Sequence, residues 1–258
     1  MKIGILGTGI IASAIVTGFC VKKSGHVFFL SPRNAEKAAA LADRFSEVKV
    51  CASNQEVVDA ADWVFSCLHK KDFDALTGLK FRREQKVVNI SAEMKLPDLK
   101  KIIGETAVLA HVIPLPFIKA GFGPLLVYPE IAEAGELFAP VSDVFFVDRQ
   151  EDVRTLQIIT GLMSPYNMLL HEIVKFSDDQ GLGHDVSVKF LCSLFGALGK
   201  RAAGIPDCDL TELACEMTPG GYNEQAMKEL LGNGAIKAWR NSLDRLLERL
   251  NQVTGTKS

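Results

Sequence analysis

Along the first half of the chain, short apolar runs alternate with longer amphipathic ones. Lys2 to Leu6, His26 to Leu30, Val48 to Cys51, Trp63 to Leu68, Lys86 to Ile90 and Ala107 to Val112 are brief and mostly apolar, the pattern of strands buried on both faces. Ile10 to Lys22 and Ala35 to Phe45 between them predict helices, and Gln55 to Ala60 predicts a short helical link. Leu125 to Tyr128 and Asp143 to Val147 predict late, shorter strands around a helix at Ile131 to Phe138. This alternation predicts an α/β fold, a parallel sheet covered by helices.

After about Asp148 the strand pattern stops. Val153 to Thr160, Asn167 to Phe176, His184 to Ala203 and Glu224 to Leu231 read as helices. The clearest helix is the last. Ile236, Trp239, Leu243, Leu246, Leu247, Leu250 and Val253 recur at three-and-four spacing, with Arg240, Asp244, Arg245, Glu248 and Arg249 opposite them. The division expected is an α/β domain over residues 1–148 and an all-helical domain over 149–258. The apolar stripe of the last helix needs a cover, from the same chain or from a second subunit.

Composition narrows the class. Hydrophobic residues make up 48% and charged residues 23% of 258, ordinary usage for a soluble globular chain of one or two domains. A formal net charge of -2 gives no overall basic character, so no nucleic-acid partner is expected. Gly, Lys and Pro interrupt every apolar run short of a membrane span, so no membrane partner is expected either. Met1 leads directly into a strand pattern without a small-residue cleavage site, which points to a cytoplasmic protein. The six cysteines form no CxxC pair and no zinc-finger spacing with histidine; reduced, partly buried thiols and no metal are the expectation.

The first loop carries the strongest chemistry. Gly7-Thr8-Gly9-Ile10-Ile11-Ala12 has the GxGxxA form between a predicted strand and a predicted helix. In a Rossmann unit, the first glycine of such a turn permits a tight bend and the second lets backbone approach a pyrophosphate. The small third residue lets helix pack on strand. The helix N-terminus then offers unpaired N–H groups to phosphate. The second strand ends at Leu30-Ser31-Pro32-Arg33-Asn34, where an NAD-binding chain usually places a carboxylate for the ribose. No carboxylate stands there. Ser31 can donate a hydroxyl bond and Arg33 can pair with a 2′-phosphate, which favours NADP.

With these residues in view, the chain resembles the pyrroline-5-carboxylate reductase family over essentially its full length. The GxGxxA turn and the Arg33-Asn34 pair are typical of that family. Ala61-Asp62-Trp63-Val64-Phe65 leads into Cys67-Leu68-His69, where the family often reads Ala-Val-Lys. His111-Val112-Ile113-Pro114 is similar to its Arg-x-Met-Pro stretch, and Thr218-Pro219-Gly220-Gly221 to its Ser-Pro-Gly-Gly loop. The resemblance implies an NADP-binding Rossmann domain followed by a helical dimerisation domain. It implies a homodimer or higher homo-oligomer in which the cofactor of one subunit meets the loop of its partner. The activity implied is reduction of a small cyclic imine carboxylate, first of all pyrroline-5-carboxylate to proline. Gly7, Thr8, Gly9, Ile10, Ile11, Ser31, Arg33, Asn34, Cys67, Leu68 and His69 would then hold the cofactor.

The loop also has a physical reading. Thr218 suits a helix N-cap and Pro219 a first helical position, which would leave the N–H groups of Gly220 and Gly221 uncovered for a substrate carboxylate. Thr218 would assist, and Tyr222 or Asn223 would reach the imine nitrogen. The departures from the family pattern cluster here. Tyr222 and Asn223 stand where the family has a residue and then Thr, Leu115 follows Pro114 where the family has Asn, and His69 replaces Lys. Leu162-Met163-Ser164-Pro165 only echoes its Gly-Ser-Gly-Pro segment. A different cyclic imine therefore stays open as substrate.

Two other readings compete. Gly181-Leu182-Gly183-His184-Asp185 followed by Lys189 loosely matches the Gly-rich-then-Lys motif of β-hydroxyacid dehydrogenases, with Cys192-Ser193 where Asn would be expected. A non-catalytic NADP-binding or redox-sensing module is the other, motivated by Leu115 and the missing loop threonine. His111 reads as a core or cofactor-contact histidine and Cys67 as an inert buried thiol.

Overall fold

A computed structural model describes residues 1–91, 94–104 and 108–254. Ala107, expected to open a strand, and the side chain of Val253 lie outside the described residues. The chain divides into two compact units, Met1–Val153 and Arg154–Ser258.

The first unit is built on eight strands: β1 (Lys2–Leu6), β2 (Val27–Leu30), β3 (Val48–Val50), β4 (Trp63–Ser66), β5 (Lys86–Asn89), β6 (Val108–Pro114), β7 (Pro124–Tyr128) and β8 (Asp143–Phe146). They lie in the order β3-β2-β1-β4-β5-β6-β7-β8. All neighbours are parallel except β6 and β7. The helices are α1 (Ile10–Val21), α2 (Ala35–Arg44), α3 (Asn54–Ala60), α4 (Leu96–Ile103) and α5 (Ala132–Phe138), and α6 (Gln150–Ile159) carries the chain onward.

The apolar runs explain the layers. Ile3, Ile5, Phe28, Leu30 and Phe65 point into one core with Ile15 and Phe19 of α1, Leu41 of α2 and Leu137 of α5. Leu6, Val64 and Val87 point into a second core with Val57 of α3 and Leu99 of α4. Alternate residues of each strand thus bury against opposite helix layers, which is why the strands read as continuous apolar sequence. A Cβ on Gly18 would come 2.0 Å from the carbonyl oxygen of Ile118, so α1 packs against the 3-10 turn Pro116–Ala120 only because that residue has no side chain.

Three features depart from the sequence expectation. β7 runs antiparallel to β6, within a sheet expected to be parallel. Helix α4 was not expected, although Leu96, Leu99 and Ile103 bury at helical spacing behind Pro97, a residue that suits a first turn. A 3-10 segment, Lys70–Leu76, follows β4 and buries Phe73 and Leu76 in the second core.

The second unit is helical: α7 (Met163–Asp179), α8 (His184–Ala203), α9 (Leu210–Cys215), α10 (Tyr222–Gly232) and α11 (Ala235–Thr254). The short α9, capped by Asp209, was also not expected. α7 packs on α8, and α10 on α11. Among the described residues of this unit only Val174, Ser187 and Leu191 are buried. Val186, Phe190, Leu194 and Leu198 recur every fourth residue along α8 and are all exposed.

Candidate functional site

The strand order reverses direction at β1. β2 and β3 lie to one side of it and β4 to the other, so the carboxyl ends of β1 and β4 flank the crevice in which open α/β sheets hold ligands. The GxGxxA turn lies at that point. Gly7 has φ 93°, and a Cβ there would sit 2.8 Å from Leu68 Cδ2 and 3.1 Å from the carbonyl oxygen of Cys67. Gly9 is the N-cap of α1, in extended backbone with no side-chain cap, and a Cβ there would meet nothing within 4 Å. The first turn of α1 also contains no acidic residue. Open space, unblocked N–H groups and a helix dipole therefore coincide, an arrangement suited to a pyrophosphate.

The neighbouring residues divide into those that build the cradle and those that face outward. Thr8 is buried, Ile11 packs against the first core, and Ile10 is 80% exposed. Ser31, expected to donate toward the cofactor, is turned inward: it is 1% exposed, and its hydroxyl oxygen accepts the N–H of Gly7 at 3.0 Å. Asn34 caps α2 by accepting the N–H of Lys37 at 3.5 Å. Leu68 is buried beneath Gly7, and burial pushes the Cys67 thiol up to about 12, leaving it inert at neutral pH. His69 is exposed, and its carbonyl accepts the N–H of Asp72 at 2.8 Å.

Arg33 is exposed as the 2′-phosphate reading requires, but it is not alone. Its Nη2 donates to Oδ1 of Asp72 at 2.6 Å. The expectation of a site without a carboxylate is therefore corrected: the acid comes from the 3-10 segment after β4 and not from the end of β2.

The loop of the second unit also differs from expectation. Thr218 is not an N-cap. The Gly221 N–H donates to the Thr218 carbonyl at 2.9 Å, Gly220 has φ 72°, and α10 starts only at Tyr222 with Gly221 as N-cap. Pro219 and Gly220 thus form the centre of a tight turn, whose positive φ a glycine accepts. The Gly220 N–H is covered by Oε2 of Glu224 at 2.5 Å, so neither glycine presents a free donor. The ammonium of Lys228, and after it the Gly220 N–H, hold the Glu224 carboxyl below its usual range by donating to it. The N–H groups of the first turn of α10 have no side-chain cap. Tyr222 is 91% exposed, and Thr218 and Asn223 are exposed.

Comparison with known proteins is consistent with this geometry. Residues 2–93 match the family described as NADP oxidoreductase coenzyme F420-dependent. No curated protein matches the chain in sequence. The pyrroline-5-carboxylate reductase of Streptococcus pyogenes is 19% identical, with a TM-score of 0.80 over 96% of this chain and 97% of its own. The Plasmodium falciparum pyrroline carboxylate reductase with NADP bound is 14% identical, with a TM-score of 0.80 over 96% of each chain. The Coxiella burnetii pyrroline-5-carboxylate reductase is 17% identical, with a TM-score of 0.77 over 99% of this chain and 98% of its own. The chain shares its fold with these three proteins. Its N-terminal unit is a Rossmann domain.

Within this fold, a buried polar row crosses the sheet near the strand ends. Ser66, Asn89 and His111 are register neighbours on β4, β5 and β6. Asn89 Nδ2 donates to the carbonyls of Ser91 and Met94, its Oδ1 accepts the Ser91 N–H, and His111 Nε2 lies 3.1 Å from the Ser91 carbonyl. The row therefore pins the start of the loop after β5. Burial lowers the His111 pKa to about 4, so it is neutral at physiological pH. Lys189, the candidate acid/base of the hydroxyacid reading, is a surface residue, paired with Asp185 at 2.6 Å with both side chains largely exposed. Among the described residues no group of His, Cys, Asp and Glu is placed to hold a metal, and no helix is long and apolar enough to cross a membrane.

Proposed function

We propose that the chain catalyses NADPH-dependent reduction of a small cyclic imine carboxylate, with pyrroline-5-carboxylate to proline as the first candidate. One observation carries the reading: the cradle at Gly7 to Ile11 is open at Gly9, in a chain whose fold matches pyrroline-5-carboxylate reductases nearly end to end.

Bound there, reduced nicotinamide supplies the hydride that a protonated imine accepts at carbon. The backbone of Gly7, Thr8, Gly9, Ile10 and Ile11 would hold the pyrophosphate, with Ser31 fixing the turn and Arg33 facing the 2′-phosphate. Binding and orientation are most of what such a reaction needs from the protein. The substrate carboxylate is assigned to the uncapped first turn of α10, with the N–H groups of Tyr222 and Asn223 in place of those of the two glycines. Thr218 and the Asn223 amide are the polar side chains available to the imine nitrogen.

A homodimer belongs to the same proposal. A helical unit with three buried residues among those described has little core of its own, and the stripe of Val186, Phe190, Leu194 and Leu198 suits a second copy as its cover.

The test is NADPH oxidation with pyrroline-5-carboxylate, then with a six-membered cyclic imine acid, with NADH as control. Turnover of the five-membered substrate supports the full proposal. Turnover of the larger ring alone keeps the reaction class and changes the substrate. NADPH binding without turnover of either favours the non-catalytic module.

A further inference from the structure

The second strand ends without the acidic residue that NAD-binding Rossmann chains usually carry, yet a carboxylate reaches the same place from elsewhere. Asp72 lies in the 3-10 segment after β4, 39 residues beyond Arg33, and its Oδ1 takes the Arg33 Nη2 at 2.6 Å. The Asp72 side chain is 16% exposed and the Arg33 side chain 55%. Asp72 is also held by its own backbone, whose N–H donates to the His69 carbonyl. The carboxylate is thus the more buried member of the pair and the guanidinium the exposed one.

We infer that Asp72 is a specificity-determining residue that limits the preference for NADPH over NADH. The inference rests on the dinucleotide reading above. A 2′-phosphate approaching Arg33 meets a pair whose charges cancel rather than a lone cation, and it must approach close to a carboxylate. A ribose 2′-hydroxyl meets an acceptor in Asp72, the role that an acid at the end of β2 plays in NAD-binding chains. Arg33 and Asp72 therefore favour opposite cofactors at one position. The wild-type chain binds both nucleotides, with a preference far smaller than an unopposed arginine would impose.

The experiment is titration of NADPH and NADH by intrinsic fluorescence or calorimetry, on the full-length wild-type protein and on Asp72→Asn and Arg33→Gln. Asp72→Asn is isosteric, Arg33→Gln shortens the side chain as it removes the charge, and a thermal melt checks folding. The expected result is a shift of the Kd ratio toward NADPH by tenfold or more in Asp72→Asn and toward NADH in Arg33→Gln. A purely structural role for the pair would weaken both nucleotides together and leave the ratio unchanged, which overturns the inference. If the wild-type protein binds NADPH but the Asp72→Asn ratio stays within twofold, the inference fails and the dinucleotide reading stands. If the wild-type protein binds neither nucleotide, both fall.

Discussion

The hydroxyl oxygen of Ser31 accepts the backbone N–H of Gly7 at 3.0 Å, tying the end of β2 to the turn that follows β1. Ser31 is buried, so this bond forms away from solvent, and its loss leaves the Gly7 N–H without its partner. Ser31→Ala should lower stability by about 1–2 kcal/mol in urea denaturation. It should also weaken NADPH binding, because the turn presenting the phosphate-facing N–H groups loses its anchor. Weakened stability with unchanged nucleotide affinity would detach Ser31 from the cradle.

The two glycines of the turn should separate stability from binding. Gly7→Ala places a side chain at φ 93° and 2.8 Å from Leu68 Cδ2, so destabilisation of about 1–3 kcal/mol is expected. Gly9→Val meets no protein atom within 4 Å of the new Cβ and sits in extended backbone that valine adopts. Its stability should stay within about 1 kcal/mol of wild type. Its dinucleotide affinity should fall at least tenfold, since the branched side chain fills the space a pyrophosphate needs. Paired denaturation and nucleotide titration check both; a Gly9→Val protein that binds normally places the cofactor elsewhere.

How much of this was visible beforehand depends on the range of each interaction. β1, the GxGxxA turn and α1 are local, and apolar periodicity with two glycines is enough to read them. Asp72 was not readable, because nothing in sequence spacing brings a residue 39 positions away onto Arg33. The direction of β7 is set by its tertiary neighbours, and a four- or five-residue apolar run looks the same whichever way it pairs. Thr218 to Gly221 is a local case that still misled. Thr-Pro-Gly-Gly fits a capped helix start and a tight turn equally, and the positive φ of Gly220 decides for the turn.

Glu224 holds the place that a substrate carboxylate was expected to take. Its charge lies beside the first turn of α10, where it opposes a second anion. Glu224→Gln keeps an oxygen for the Gly220 N–H and removes the charge. With the proposed substrate, KM should fall several-fold while kcat stays near wild type, and the difference should shrink as salt is added. An unchanged or raised KM would move the carboxylate site away from α10.

The exposed stripe on α8 makes its own prediction. Phe190 is 68% exposed and flanked at four-residue spacing by Val186 and Leu194. Placing a charge there costs a single chain little and a dimer much. Sedimentation should show a dimer for wild type and a shift toward monomer for Phe190→Glu. A wild-type protein that sediments as a monomer at all concentrations rejects the proposed dimer.

His111 should make stability depend on pH in the mildly acid range. Its Nε2 carries the proton, because the Ser91 carbonyl can only accept, and its buried Nδ1 finds no partner among the described residues. Protonating Nδ1 would place a charged donor in the core beside no acceptor, which is why burial drives the pKa from 6.5 to about 4. Between those values the unfolded chain binds a proton that the folded chain refuses, so stability rises with pH across the window and is lost as pH falls through it. The full effect is roughly 3 kcal/mol, complete near the folded pKa. His26, lowered by partial burial and by the N-terminal charge, adds a slope of the same sign. The contribution of His111 is therefore read as the difference between wild type and His111→Gln in urea denaturation at several pH values. The variant, with no titrating group at this position, should have the flatter profile between pH 4 and 6.5. Identical slopes would mean that the Asn89–Ser91 loop opens to let His111 titrate in water.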